Sequence, residues 1–236
     1  MIRPHAFSVL LIFSASLLMG ATAVAQSEQR ARLEKDIQSS RDQLRVKEEQ
    51  FLAPSSVDRS AYAEFLKQPM AGLVRLLPRE KYNGKLTIRG DGAYYSFTRL
   101  THEYGYGSDI GLEQKRFQVG FAGADFGFLT MLDGVALEEI TLDHPAVQYL
   151  AAFIAPSKEP EARAQQQRAS AGFKVGSFSY KNNLPAMVGF TYIVRSIQYR
   201  EADVLAAFRV VREDSDGSMT LVWKILKKFP TPQFAE

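Results

Sequence analysis

The sequence predicts an α+β fold, mainly antiparallel β-sheet with two packing helices, preceded by a solvated N-terminal helix. Three observations carry this reading. Residues 27–52 are rich in Glu, Gln, Arg, Lys, Leu and Ala and hold no Gly or Pro, the composition of a helix. From Lys85 onward the apolar period changes to two, with aromatic and β-branched residues alternating as a half-buried sheet requires. Strand-like runs come in pairs joined by short turns, with helical segments set apart from them, which is the α+β arrangement rather than alternating βαβ.

The elements follow in order. The apolar stripe of the first helix is thin, because Leu33, Ile37, Leu44 and Phe51 are interrupted by Ser40 and Lys47 where a coiled coil wants apolar residues. A second helix is announced at residues 54–58, where Ser55 can cap and Asp58 takes the capping-box position. Val57, Ala61, Tyr62, Phe65 and Leu66 share its inward face, and Pro69 stops it. Residues 72–78 fit either a short strand or a helical turn. Residues 85–98 read as a hairpin turning at Gly90-Asp91-Gly92, and residues 117–121 and 126–132 as further strands. A short helix opens at Asp143-His144-Pro145, with Pro145 suited to its first position and Val147, Leu150, Ala151 and Ile154 facing inward.

Residues 156–171 are a polar linker or solvated helix. Four strand-like segments follow, at 173–180, 188–199, 204–212 and 219–229, the last two joined by a turn at Asp216-Gly217. The runs starting at Val188 and Val204 are apolar on both faces, so they are expected at the centre of the sheet, covered on each side. A meander of this size is too small to stand alone and is expected to share a core with the 85–132 strands. The expected organisation is therefore 1–25, 26–53, a single domain over 54–230, and a tail at 231–236.

The first of these segments is an address. Arg3, the apolar run over residues 6–19 and Ala23-Val24-Ala25 have the order of a secretory signal peptide, with Ala23 and Ala25 as the small residues before the cut. The apolar run is shorter than the ~20 residues of a bilayer-spanning helix, and no second run of that length follows. The chain has no cysteine, which excludes a lipid-anchoring cysteine, disulfides and thiolate metal sites. An exported protein, periplasmic or secreted, is expected. Without Arg3, the 29 Lys and Arg against 26 Asp and Glu become 28 against 26, a formal charge of +2. That gives no basic excess for nucleic acid, and none is expected as a partner.

No nucleophile-elbow, Ser-x-x-Lys, His-Glu-x-x-His or phosphate-loop pattern occurs, and no cofactor is expected. The glycines at 105, 107 and 111 imitate a dinucleotide fingerprint, but the third falls one residue late. Only His102 and His144 remain past the signal segment, too few for a cysteine-free zinc site without help, and no metal is expected. Arg89-Gly90-Asp91 matches an adhesion tripeptide and Asp214-Ser215-Asp216-Gly217 half of a calcium loop, but both are what tight turns need.

The segment 101–109 stands out. His102, Glu103, Tyr104, Tyr106 and Asp109 combine an imidazole, two carboxylates and two tyrosines among glycines, a set able to stack on a sugar or grip a peptide. The bland reading is a surface loop whose rings cover a sheet edge. Lys224, Lys227 and Lys228 beside Trp223 offer a surface for an anionic partner, although lysines on an outer strand also guard against edge pairing. The sequence thus favours a non-enzymatic domain binding an envelope protein, glycan or peptide. A hydrolase acting through His102, Glu103 or Asp109 is the first alternative, and an assembly protein associating through the 27–52 helix the second.

Overall fold

The computed structural model describes residues 8–105 and 107–235, with side chains from residue 26 onward. The signal-peptide expectation, including Ala23 and Ala25, falls outside the side chains described, and so does Tyr106 in every respect. The backbone is helical from Ser8 to Leu52 (α1), longer than the expected 27–52. Residues 26–47 of it are exposed, and Leu33, Ile37, Leu44 and Val46 find no cover among the described residues. The chain divides into two compact units at Glu49/Gln50, and the second carries everything below. Among the described residues no helix is long and apolar enough to cross a membrane.

The second unit is α+β with antiparallel sheets. Its centre is a five-stranded sheet in the order β1-β11-β10-β9-β5, formed by Ala71–Leu76 (β1), Phe126–Leu132 (β5), Thr191–Gln198 (β9), Ala202–Glu213 (β10) and Met219–Lys228 (β11). A four-stranded sheet, β2-β3-β4-β8, is built from Tyr94–Tyr95 (β2), Ile110–Glu113 (β3), Arg116–Gln118 (β4) and Asn183–Pro185 (β8). It covers one face of the large sheet over a core of Phe97, Phe117, Tyr192, Phe208 and Trp223. After a single turn at Arg79–Tyr82 (α3), helices Pro145–Ala152 (α4) and Glu159–Ala171 (α5) cover the other face over Phe126, Phe128, Ile193 and Leu205. A small hairpin of Phe173–Val175 (β6) and Phe178–Tyr180 (β7) completes that layer, in place of the single segment expected at 173–180.

The central strands behave as their two apolar faces require: every residue of β9 is buried. At the β10–β11 turn, Gly217 (φ 82°) supplies the left-handed residue and donates its N–H to Asp214 O at 2.8 Å. His144 caps α4 through Nδ1, which accepts from Ala146 N at 3.2 Å.

Three expectations are corrected and one strand is added. The 85–98 hairpin is absent because Asp91 Oδ1 accepts from both Lys85 N and Leu86 N at 2.9 Å. A side chain thereby closes a loop where a ladder was expected. Strand β3, over Ile110-Gly111-Leu112-Glu113, has no counterpart among the expected strands. Its turn to β4 uses Gln114 (φ 49°) and Lys115 (φ 55°), which carry no Gly or Asn signal. The expected second helix shortens to Ser56–Ala61 (α2), with Ser55 capping it as expected and Val57 73% exposed. Ile154, expected inward, is 85% exposed, because α4 has already ended at Ala152.

Candidate binding site

The 101–109 segment is pinned to the sandwich by its own side chains. Asp109 is fully buried; its Oδ2 accepts from Phe97 N at 2.8 Å and Ser96 Oγ at 3.4 Å, and its Oδ1 from Gln198 Nε2 at 2.8 Å. Gln198 Oε1 in turn accepts from Gly107 N at 2.6 Å, so one carboxylate and one amide tie two turns to β9. Burial outweighs these hydrogen bonds and pushes the Asp109 carboxyl up to about 6. His102 turns inward: its Nε2–H donates to Arg75 O at 2.9 Å, and its ring meets Tyr95 edge-on at 5.1 Å. Tyr104 is half-buried against Tyr94 (4.7 Å between centroids) and Phe121, with Arg89 over its face. Glu103 is exposed. The segment therefore brings His102, Tyr104 and Asp109 into three separate structural contacts and leaves only Glu103 of the four turned to solvent.

Burial pushes the His102 imidazole down to about 4, against 6.5 ordinarily. Between those values the unfolded chain takes up a proton that the folded chain refuses, so this residue costs stability as pH falls from 6.5 to 4. His102→Gln, which retains a donor for the Arg75 carbonyl, is expected to gain melting temperature relative to the parent progressively across that window. A constant offset between the two melting curves would contradict the assignment.

The three lysines do not share a face. Strand β11 is interior over Met219–Lys224, between β1 and β10, and is not an outer strand. Lys224 pairs with Ala207 and Lys227 with Leu205, whereas Lys228 pairs with Val204, the register slipping by one between Leu205 and Ala206. Leu205 and Ala207 face the helices and Val204 faces the second sheet, so the bulge sends Lys228 to the opposite side. Lys224 is partly buried with Nζ donating to Glu138 O at 3.3 Å, and Lys227 lies over the Phe229 ring at 4.5 Å.

A concavity lies elsewhere. A cleft of about 370 Å³ runs between the end of α4 and the C-terminal tail, lined by Phe153, Ile154, Phe229, Pro230 and Pro232, with Arg195 and Asp203 among its lining residues. Both charged side chains are almost wholly buried, at 2% and 3% exposure. Arg195 Nε and Nη2 donate to Asp203 Oδ1 and Oδ2 at 2.9 and 2.8 Å, a bidentate fork. Its Nη1 donates to Leu150 O and Phe153 O, the free carbonyls at the end of α4, and its guanidinium stacks at 3.6 Å on the Phe229 ring. One side chain thus fixes both walls of the cleft. The tail wall is held further by Arg200 N to Pro232 O (2.9 Å), Ala235 N to Ser157 O (2.8 Å) and the stack of Phe234 on Tyr199.

Sequence reasoning passed over Arg195 and Asp203. The signal was there: Arg195 is the single charge within the 188–199 run apolar on both faces, and Asp203 stands immediately before the next such run, so both are groups that must pair. Their partnership needs the β9–β10 register, in which Leu205 faces Arg195 and Asp203 sits diagonally across from it.

A second concavity, of about 430 Å³, lies beside the β10–β11 turn and is lined by Glu80, Lys81, Lys115, Glu213, Asp214 and Asp216. Its charges are largely paired among themselves. Arg75 bonds Asp214 and Asp216, Arg212 bonds Asp58 and Asp214, Lys115 bonds Glu213, and the Tyr82 hydroxyl donates to Asp216 at 2.6 Å. Hydrogen bonds from Ser218 and Tyr82 together with Arg75 hold the Asp216 carboxyl well below the usual range despite its burial. Among the described residues no group of His, Asp and Glu is placed to hold a metal ion. Comparison of the chain with protein-family profiles, with curated proteins and with solved structures finds no match in any of the three.

Proposed function

We propose that the chain is an exported, non-enzymatic binding domain that takes a peptide or glycan with an apolar face in the cleft between α4 and the C-terminal tail. The carrying observation is the combination at that cleft: Ile154 stands 85% exposed among its lining residues, while a buried, fully hydrogen-bonded Arg195 holds the two walls in place. Large apolar side chains beside a few oriented polar groups are the usual make-up of a ligand site. Walls fixed before binding lower the ordering cost of association. Export is supported by Arg3, the apolar run and the Ala23/Ala25 pair.

A thermal-shift screen of the protein against apolar peptides, glycans and peptidoglycan fragments tests the reading. A ligand of this site raises the melting temperature by mass action, the equivalent of ~2.7 kcal/mol at a hundredfold excess over its dissociation constant. Ile154→Glu, at a position too exposed to disturb the fold, is expected to weaken that ligand tenfold or more, the effect of about 1.4 kcal/mol. A ligand whose stabilisation is unchanged by Ile154→Glu binds elsewhere and would sink the assignment.

A further inference from the structure

The two edges of the five-stranded sheet are treated differently. Along β5 the outer edge is closed by Lys181, which exchanges two backbone bonds with Leu129, at 2.6 and 3.0 Å. Along β1 the outer edge is open. Met70 O accepts from Ile225 N at 2.8 Å, so Met70, Gly72 and Val74 turn their backbone groups toward β11, and by the period of two Ala71, Leu73 and Arg75 turn theirs outward. His102 occupies the Arg75 carbonyl. In the register with β11 Ala71 and Leu73 stand at the outward-turned positions, and among the described residues no bond outside the sheet reaches the N–H or C=O of either; both are half-buried, with their side chains against the helix-side core.

Natural sheets guard such an edge with lysine, proline, a bulge or a covering element. Here the three residues are Ala71, Gly72 and Leu73, and the one proline nearby, Pro69, lies before the strand and not in it. The one charged side chain of β1, Arg75, is drawn into its ion pairs with Asp214 and Asp216 and is 14% exposed. Two further features lie beside the edge. Met70, immediately before β1, and Leu100, in the turn closed by Ser96 and Thr101, are 52% and 62% exposed with φ of 59° and 58°. Bulky apolar residues rarely occupy that region. Beneath Gly72 lies the Trp223 indole, 2% exposed, whose Nε1 has no hydrogen-bond partner among the described residues.

We propose that the open edge of β1 pairs with the same edge of a second copy of this chain, in antiparallel register about Gly72. The pattern is self-complementary. With Gly72 opposite the partner's Gly72, Ala71 exchanges both bonds with the partner's Leu73, and Leu73 both with the partner's Ala71. Four backbone bonds form without disturbing the His102–Arg75 bond. Gly72 sits at the close, non-hydrogen-bonded position, where strands approach to ~4.5 Å between Cα atoms and where a Cβ would already overlap Trp223. The paired segment carries no charge, so two copies meet without repulsion, and the two-fold arrangement is the commonest closed assembly.

Light scattering of the full chain over a concentration series is expected to show a dimer. Amide hydrogen exchange is expected to show Ala71 and Leu73 protected only when the dimer forms, which separates this contact from any association through α1. Leu73→Pro removes an outward N–H at an edge position where proline is tolerated, and should weaken the dimer tenfold or more, since two bonds are lost per dimer. Ala71→Lys, a guard residue added at the same edge, should do likewise, and it serves if circular dichroism shows Leu73→Pro unfolded. A protein monomeric at every concentration overturns the proposal. So does a dimer insensitive to Ala71→Lys, one whose Ala71 and Leu73 amides exchange freely, or a monomer that accepts the extended strand of a different protein instead.

Discussion

Arg195→Ala is expected to destabilise the protein by about 3–5 kcal/mol, the usual cost of removing one partner from a buried ion pair. Three losses coincide. Asp203 is left as a buried carboxylate without its guanidinium, the Leu150 and Phe153 carbonyls lose their donor at the end of α4, and the Phe229 ring loses the plate on which it stacks. For a chain of this size a loss of 1 kcal/mol lowers the melting temperature by about 2–4 °C, so the drop is large enough to read from a single melt. The partner experiment replaces both charges, as Arg195→Met with Asp203→Leu. Removing the orphaned carboxylate should recover a substantial part of the loss, because apolar packing often matches or exceeds a buried pair. Urea denaturation of the three proteins measures this. A loss under about 1 kcal/mol for Arg195→Ala would mean that the pair is a surface-type contact and that the cleft walls do not depend on it.

Asp109→Ala is expected to cost about 2–4 kcal/mol, since it strips an acceptor from the buried Phe97 N–H and from the Gln198 amide at once. A residue whose work was to touch a ligand would instead lose affinity with little change in stability. The pH dependence adds a second signature. The Asp109 carboxyl titrates at about 6 in the folded chain against 3.8 ordinarily. Between those values the folded state holds a proton that the unfolded state has released. Its contribution to stability therefore grows as pH falls from 7 toward 4, opposite in sign to that of His102. Asp125, also raised to about 6 by burial, acts in the same direction and is untouched by the substitution. Melting curves of the parent and Asp109→Ala should accordingly diverge on acidification. Convergence would show that the carboxylate is not held in the dry environment the sandwich gives it.

Much of the fold was legible because its signals are local. The apolar runs at 126–132, 188–199 and 204–212, the Asp-Gly turn before β11 and the His144-Pro145 start of α4 each depend on neighbours within a few residues. The elements that escaped depend on partners far away in sequence or on unusual backbone. The loop over 85–92 is closed by the Asp91 carboxylate in place of a ladder. The β3–β4 turn uses Gln114 and Lys115 at positive φ, against the residue preferences from which turns are read. The 101–109 segment was legible as unusual, yet whether its polar groups face water or the core is decided by Gln198, 89 residues on from Asp109.

The class of fold, the absence of cysteine chemistry, the central place of β9 and β10 and the solvated character of the N-terminal helix are all readable from the residues alone. These follow from composition and short-range periodicity, and hydrophobic burial enforces them wherever the segments end up. Which charges are spent internally and which surfaces remain unsatisfied follow from the packed fold. Arg195 and Asp203 became a rivet, Lys228 parted from Lys224 and Lys227, and β1 became an unpaired edge. Each outcome is a matter of strand order and register, and the backbone groups and charges that pair across strands are set by those long-range choices rather than by the residues beside them in the chain.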